Sequence, residues 1–167
     1  VASSYTESYS TVVPLWQDLK GKTETQFPEV FALAQILKIS AWHKATDMFG
    51  PIPYKEAGKG LITVPYDSQE EVYKAMFKEL SDAIEVLTKY ADNGNSKLLP
   101  NADAVYAGDV HKWVVYANSL MLRLAMRVYY ADAALSKKYA LQAVNHSYGV
   151  MKTKDDEAKM ERGASLE

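Results

Sequence analysis

Asp47-Met48-Phe49-Gly50-Pro51-Ile52-Pro53-Tyr54 decides how this chain folds, because four of its residues each impose a backbone condition. Asp47 offers a carboxylate to free N–H groups of the turn. Gly50 can adopt positive φ, and Pro51 and Pro53 forbid any return to helix. The stretch therefore ends one helix and launches an extended loop tipped by Tyr54. Upstream, Pro28 suits a first helical position. From it Val30, Leu33, Ala34, Leu37, Ala41, Ala45 and Met48 recur at three- and four-residue steps, which predicts one apolar stripe. Phe31, Ile36, Ile39 and Trp42 lie off that stripe and are apolar too, so the helix should be central.

Working outward, Gly21 to Gln26 reads as a polar linker behind a short helix within residues 4–20 that carries Leu15, Trp16 and Leu19. Ser68 and Glu71 form a capping box that opens a second long helix. Its buried face is Val72, Tyr73, Met76, Phe77, Leu80, Ala83, Ile84 and Leu87. Ala91 to Asp103 is a loop by composition. Asp109 caps a third helix with the face Trp113, Val114, Ala117, Leu120, Met121, Leu124, Ala125 and Val128. A fourth, from Ser136 to Tyr148, packs through Tyr139, Ala140, Ala143 and Val144 and is ended by Gly149. Leu61-Ile62-Thr63-Val64 is the nearest thing to a strand and is too short to make a sheet. The expectation is an all-α fold of stacked helical hairpins with long ordered loops.

Composition narrows the function. The chain has 167 residues, 48% hydrophobic and 24% charged, with a net charge of −2. That is the balance of a globular protein. The absence of a basic block argues against nucleic acid as a partner. Cysteine is absent, which removes disulfides, thiolate metal sites and cysteine nucleophiles. No apolar run reaches the ~20 residues of a membrane span. Twelve tyrosines and three tryptophans suit either a sugar- or peptide-contacting surface or helix interfaces.

Candidate chemistry is sparse. His43 and Asp47 stand one helical turn apart, as a ligand and its orienter would. Without further ligands nearby, a partly exposed His beside a helix-ending Asp is the preferred reading. Neither His111 nor His146 has a partner in sequence. Ser119, Arg123 and Arg127 share one line of the third helix. Two cations there could grip a carboxylate or phosphate, but pairing with acidic groups of an adjoining element is preferred. Asn118 is a poor helix former that can satisfy a neighbouring loop's backbone. Glu56, Asp67, Asp82, Asp103 and Asp109 are scattered carboxylates, and a glycosidase needs two facing each other. No phosphate loop or nucleophile elbow occurs. No cofactor or metal is implied.

Four stretches resemble the SusD/RagB family of outer-membrane nutrient-binding lipoproteins. They are Ala41–Ala57, with Asp47, Gly50, Pro53, Tyr54 and Glu56; Pro65–Tyr73, with Asp67, running on to Ala83; Asp103–Asp109, with Tyr106 and Gly108, then Trp113; and Ala117–Leu120, with Asn118, running on to Arg123 and Arg127. They occur in register across most of residues 28–151, and Tyr148-Gly149-Val150-Met151 is similar as well. Pro51 stands where the family usually has an acidic residue. Family members are several times longer and begin with a signal peptide and a lipidated Cys. The resemblance implies an N-terminal-half fragment with tetratricopeptide-like hairpins over residues 1–151. Residues 152–167 would be a charged, frayed tail, and Leu166-Glu167 reads as a cloning remnant.

The resemblance also implies a non-catalytic role. Such a protein is lipid-anchored at the cell surface, binds a glycan (a starch-type oligosaccharide) or a peptide nutrient, and passes it to a SusC-like TonB-dependent transporter. Trp16, Tyr54 and Tyr66, in or beside predicted loops, are the candidate ligand contacts, with a packing role as the alternative for each. Two other functions compete with this one. Helical hairpins could form an adaptor groove for a partner's peptide, and the scattered carboxylates could serve an α-helical glycoside hydrolase.

Overall fold

The computed structural model describes residues 8–160, so the start of the helix expected within residues 4–20, the end of the tail and Leu166-Glu167 lie outside them. Five α-helices carry the fold: α1 (Val13–Thr23), α2 (Pro28–Phe49), α3 (Gln69–Asp92), α4 (Val110–Arg127) and α5 (Ala133–Val144). A π-helical turn, Ser8–Val12, leads into α1, and a 3-10 turn, Lys154–Asp156, follows α5. Among the described residues no strand forms; there are isolated bridges at Ile52–Asp67 and Lys97–Asp109. The chain divides into two compact units, Val1–Ala83 and Ile84–Glu167.

In the first unit α1 packs on α2, and Pro28 opens α2 as expected. Gly21 to Gln26 is not a linker, however: α1 continues through Gly21 to Thr23, because Lys20 and Lys22 can pair four residues away with Glu24 and Asp18. The stripe on α2 is also redrawn. Leu37 and Met48 are about half exposed, whereas Ile36, Ile39 and Trp42 are buried together with Ala32, Leu33 and Ala45. A helix apolar on most sides has no dominant stripe, so counting three- and four-residue steps picked one of several equivalent sets.

The stop at Gly50 behaves as its residues dictate. Gly50 takes φ +73° and its N–H reaches Thr46 O at 2.8 Å. Thr46 Oγ1 donates back to Gly50 O at 2.7 Å. Beyond it, fully buried Ile52 exchanges both backbone hydrogen bonds with Asp67. Asp67 Oδ2 accepts the N–H groups of Tyr54 and Lys55 at 3.0 and 2.9 Å. Asp47 accepts from the Tyr73 hydroxyl on α3. The free N–H groups of the loop are therefore met by Asp67, thirteen residues beyond Tyr54, rather than by the carboxylate at the turn. Ser68 and Glu71 form the capping box, and the hydrogen bonds from Lys55 and Ser68 hold the Glu71 carboxyl down at about 2. All eight predicted core residues of α3 are buried.

In the second unit α4 and α5 form an antiparallel hairpin joined by the turn 128–132. Asp109 caps α4 by accepting Lys112 N–H at 3.1 Å, and Asp132 caps α5 by accepting Leu135 N–H at 2.9 Å. Asp109→Ala should cost about 1 kcal/mol, read as a lower urea midpoint at unchanged slope. α5 ends at Val144 with Asn145 as its C-cap, four residues before Gly149, because His146 turns the chain back. Val144 is exposed rather than packed.

Candidate functional site

Two of the three candidate contacts meet inside the first unit, around a buried cation. Lys38, on α2, is only 4% exposed. Its Nζ lies 2.8 Å from Glu79 on α3, 4.1 Å from the Trp16 ring centroid and 4.8 Å from that of Tyr54. Trp16 Nε1 donates to Gln35 Oε1 at 2.6 Å, and the Tyr54 hydroxyl donates to Glu79 at 2.6 Å. Burial lowers the Lys38 amine from its ordinary value, with Glu79 opposing. Burial, reinforced by Glu79, pushes the Tyr54 phenol well up. The cluster is a Lys–Glu ion pair roofed by two rings and crossed by a phenol hydrogen bond.

Trp16 is half-buried and Tyr54 is buried, and the indole N–H of one and the hydroxyl of the other are spent on protein partners. Tyr54 also packs on Trp42 at 4.9 Å, and Trp42 on Tyr9 at 5.1 Å. Tyr66 differs: it stands 67% exposed in the loop before α3, a few residues beyond exposed Leu61 and Ile62. An exposed ring on a loop fixed at both ends by the Ile52–Asp67 bridge can stack on a sugar face. The structure brings Trp16 and Tyr54 together and leaves Tyr66 apart from them.

The other motif residues organise the turn before α4. Asp103 Oδ1 accepts the N–H groups of Val105 and Tyr106, while Oδ2 accepts Gly108 N–H at 2.8 Å and Trp113 Nε1 at 2.7 Å. Burial raises the Asp103 carboxyl, but these four donors outweigh it and leave it below its usual range. Gly108 takes φ +77°, and a Cβ there would sit 2.6 Å from Leu98 O. Tyr106 meets Trp113 edge-on at 5.1 Å, and its hydroxyl donates to Asp156 O at 2.7 Å. Beside this turn lies a cleft of about 400 Å³ whose walls include Asp103, Tyr106, Lys112, Asp155 and Lys159. The sequence placed Asp103 only among the scattered carboxylates and at the head of the third family-like stretch; the signal for its turn-closing role was an Asp two residues before the Val105 N–H and five before a glycine.

Further along α4, Asn118 Nδ2 donates to Gly149 O at 2.8 Å, the loop-satisfying role expected of it. Ser119 Oγ accepts Met151 N–H at 2.8 Å. Arg123 and Arg127 are exposed, and Arg123 has no ion pair among the described residues, contrary to the expected acidic partner: its side chain leaves α4 toward solvent. Tyr116, Ser119, Leu120, Arg123 and Met151 line a smaller cavity of about 120 Å³. His43 is 3% exposed, not partly exposed, and its Nδ1 lies 3.1 Å from Ile39 O one turn back. No cluster of three or more His, Asp or Glu able to hold a metal occurs among the described residues.

A family model described as SusD-like, for the Susd and RagB outer membrane lipoproteins, matches residues 1–166. The chain belongs to this family. A chitin-binding SusD homolog from Flavobacterium johnsoniae is 40% identical, with a TM-score of 0.90 over 93% of this chain and 33% of that one. A SusD homolog from Bacteroides uniformis is 47% identical, with a TM-score of 0.84 over 92% and 31% of the two chains. One from Bacteroides vulgatus is 31% identical, with a TM-score of 0.88 over 97% and 33%. Among curated proteins no match was found. The SusD-like chain therefore spans about a third of the length of these homologs, and its all-α, tetratricopeptide-like fold is theirs. The family is one of outer-membrane lipoproteins. No helix among the described residues is long and apolar enough to cross a membrane.

Proposed function

We propose that this SusD-like chain belongs to a cell-surface, lipid-anchored receptor that binds an oligosaccharide or peptide nutrient and delivers it to a SusC-like TonB-dependent transporter, without catalysis. The observation that carries this reading is the 40% identity and TM-score of 0.90 to a chitin-binding SusD homolog. Residues 1–151 would supply the helical scaffold, and the Lys38 cluster would hold α1 and the Gly50–Tyr54 turn rigid beneath any loop-borne contact.

Tyr66 is the contact that this reading favours, because its ring is exposed on a braced loop. Isothermal titration of the full-length receptor against chitin, starch-type and peptide ligands tests the proposal. One class should bind, and the transporter should co-purify from outer membrane. Tyr66→Ala should then weaken binding roughly three- to tenfold, the loss of one stacking ring. Absence of binding to every nutrient class, or a cytosolic partner in place of a transporter, would overturn the proposal.

A further inference from the structure

Residues 146–151 return over α3 and α4 as a strap, and side chains hold it at both ends. The Tyr148 hydroxyl donates to Asp92 at 2.7 Å, Asn118 holds Gly149 O and Ser119 holds Met151 N–H. The first link is His146. Its Nδ1 accepts Tyr148 N–H at 3.2 Å, and its Nε2 lies 3.2 Å from Thr88 Oγ1. Thr88 has one hydroxyl proton, and it is donated to Ile84 O at 2.7 Å. Thr88 can therefore only accept from the imidazole, so Nε2 carries the hydrogen and Nδ1 holds the lone pair. Both nitrogens are committed in the neutral form. A proton added to Nδ1 would face the Tyr148 N–H, donor against donor.

We infer that this strap is a proton-operated clip: closed while His146 is neutral, and loosened when the imidazole is protonated. The groups around it act on that proton in both directions, with burial the larger. Burial lowers the His146 value from the ordinary range, and Asp92 on α3 partly opposes that shift. On the same helix Glu85 and Lys89 pair with each other on the exposed side. From α4, His111 stacks on the Tyr148 ring at 4.5 Å and 27°. A folded value below the unfolded one means that the stabilisation is present above about 6.5 and is lost as pH falls through the folded value. Met151 forms one wall of the 120 Å³ cavity, so loosening the strap releases the Ser119 hydroxyl and opens that cavity beside Arg123.

Side-chain NMR and amide exchange on the full chain test the clip. At about pH 7.5, His146 should show the Nε2–H tautomer, and it should titrate below about 6.5. Protection of the Tyr148 and Met151 amides, corrected for intrinsic exchange, should fall roughly five- to tenfold on going to about pH 5. His146→Asn keeps an acceptor for the N–H two residues on but cannot take a proton, so its protection should be flat over the same range. His111→Gln should retain the wild-type response. An Nδ1–H tautomer, a titration at or above about 6.5, or an unchanged wild-type protection would each overturn the inference. These readings need only the wild-type chain, so a misfolded variant leaves the test intact.

Discussion

Glu79→Ala destabilises the protein by about 3–5 kcal/mol, because it strands a buried ammonium and a buried phenol at once. Lys38 loses the carboxylate 2.8 Å away that compensates its burial, and Tyr54 loses the acceptor of its hydroxyl. The paired change behaves differently. Lys38→Met combined with Glu79→Leu removes both charges and keeps much of the volume, leaving only the Tyr54 hydroxyl without its acceptor, so it should lie about 1–3 kcal/mol below wild type, less than the single change costs. Urea unfolding of wild type, Glu79→Ala and the double variant measures this. A single Glu79→Ala loss below about 1 kcal/mol would mean that water reaches Lys38 and that the cluster does not brace the turn.

Asp103→Ala should cost roughly 3–5 kcal/mol, since four N–H donors, including the indole of buried Trp113, lose their acceptor. Asp103→Asn separates charge from geometry. Its amide oxygen can serve one pair of donors, Val105 with Tyr106 or Gly108 with Trp113, while its NH₂ opposes the other pair, so about half the loss is expected. Because the folded carboxyl sits below its ordinary range, its contribution is present above the ordinary aspartate value and disappears as pH falls through the folded one. Wild type should therefore lose stability on acidification faster than Asp103→Asn. Parallel curves would remove the carboxylate from the account.

The contrast between these two sites shows what could be read from residue order. Helix existence was legible wherever apolar spacing and a cap agreed, as at Ser68 with Glu71 or at Asp109, since both signals are local. Asn118 was legible for the same reason: an amide inside an apolar helix must find a backbone partner, and it finds Gly149. Burial around α2 was not, because Ile36, Ile39 and Leu37 are equally apolar and only the neighbours decide which turns inward. The Lys38–Glu79 pair joins residues forty-one positions apart on different helices, and no spacing rule connects them. Tyr54 and Trp16 looked like free aromatic contacts because a sequence does not show that a cation lies beneath them. The end of α5 was missed at Gly149 because a histidine side chain, rather than a positive-φ residue, turns the chain there.

The tethers of α1 carry a consequence for folding order. Tyr9 reaches Pro53 O across 44 positions, and Gln17 reaches Ala57 O across 40, whereas every bond to Asp103 closes within 10. Loop-closure entropy makes the longer rings dearer by roughly 1 kcal/mol, and they form only after the intervening helix has grown. The Asp103 turn should thus nucleate early, while α1 and the π-helical turn before it stay untethered until residues 53–57 have been brought back by the intervening helix.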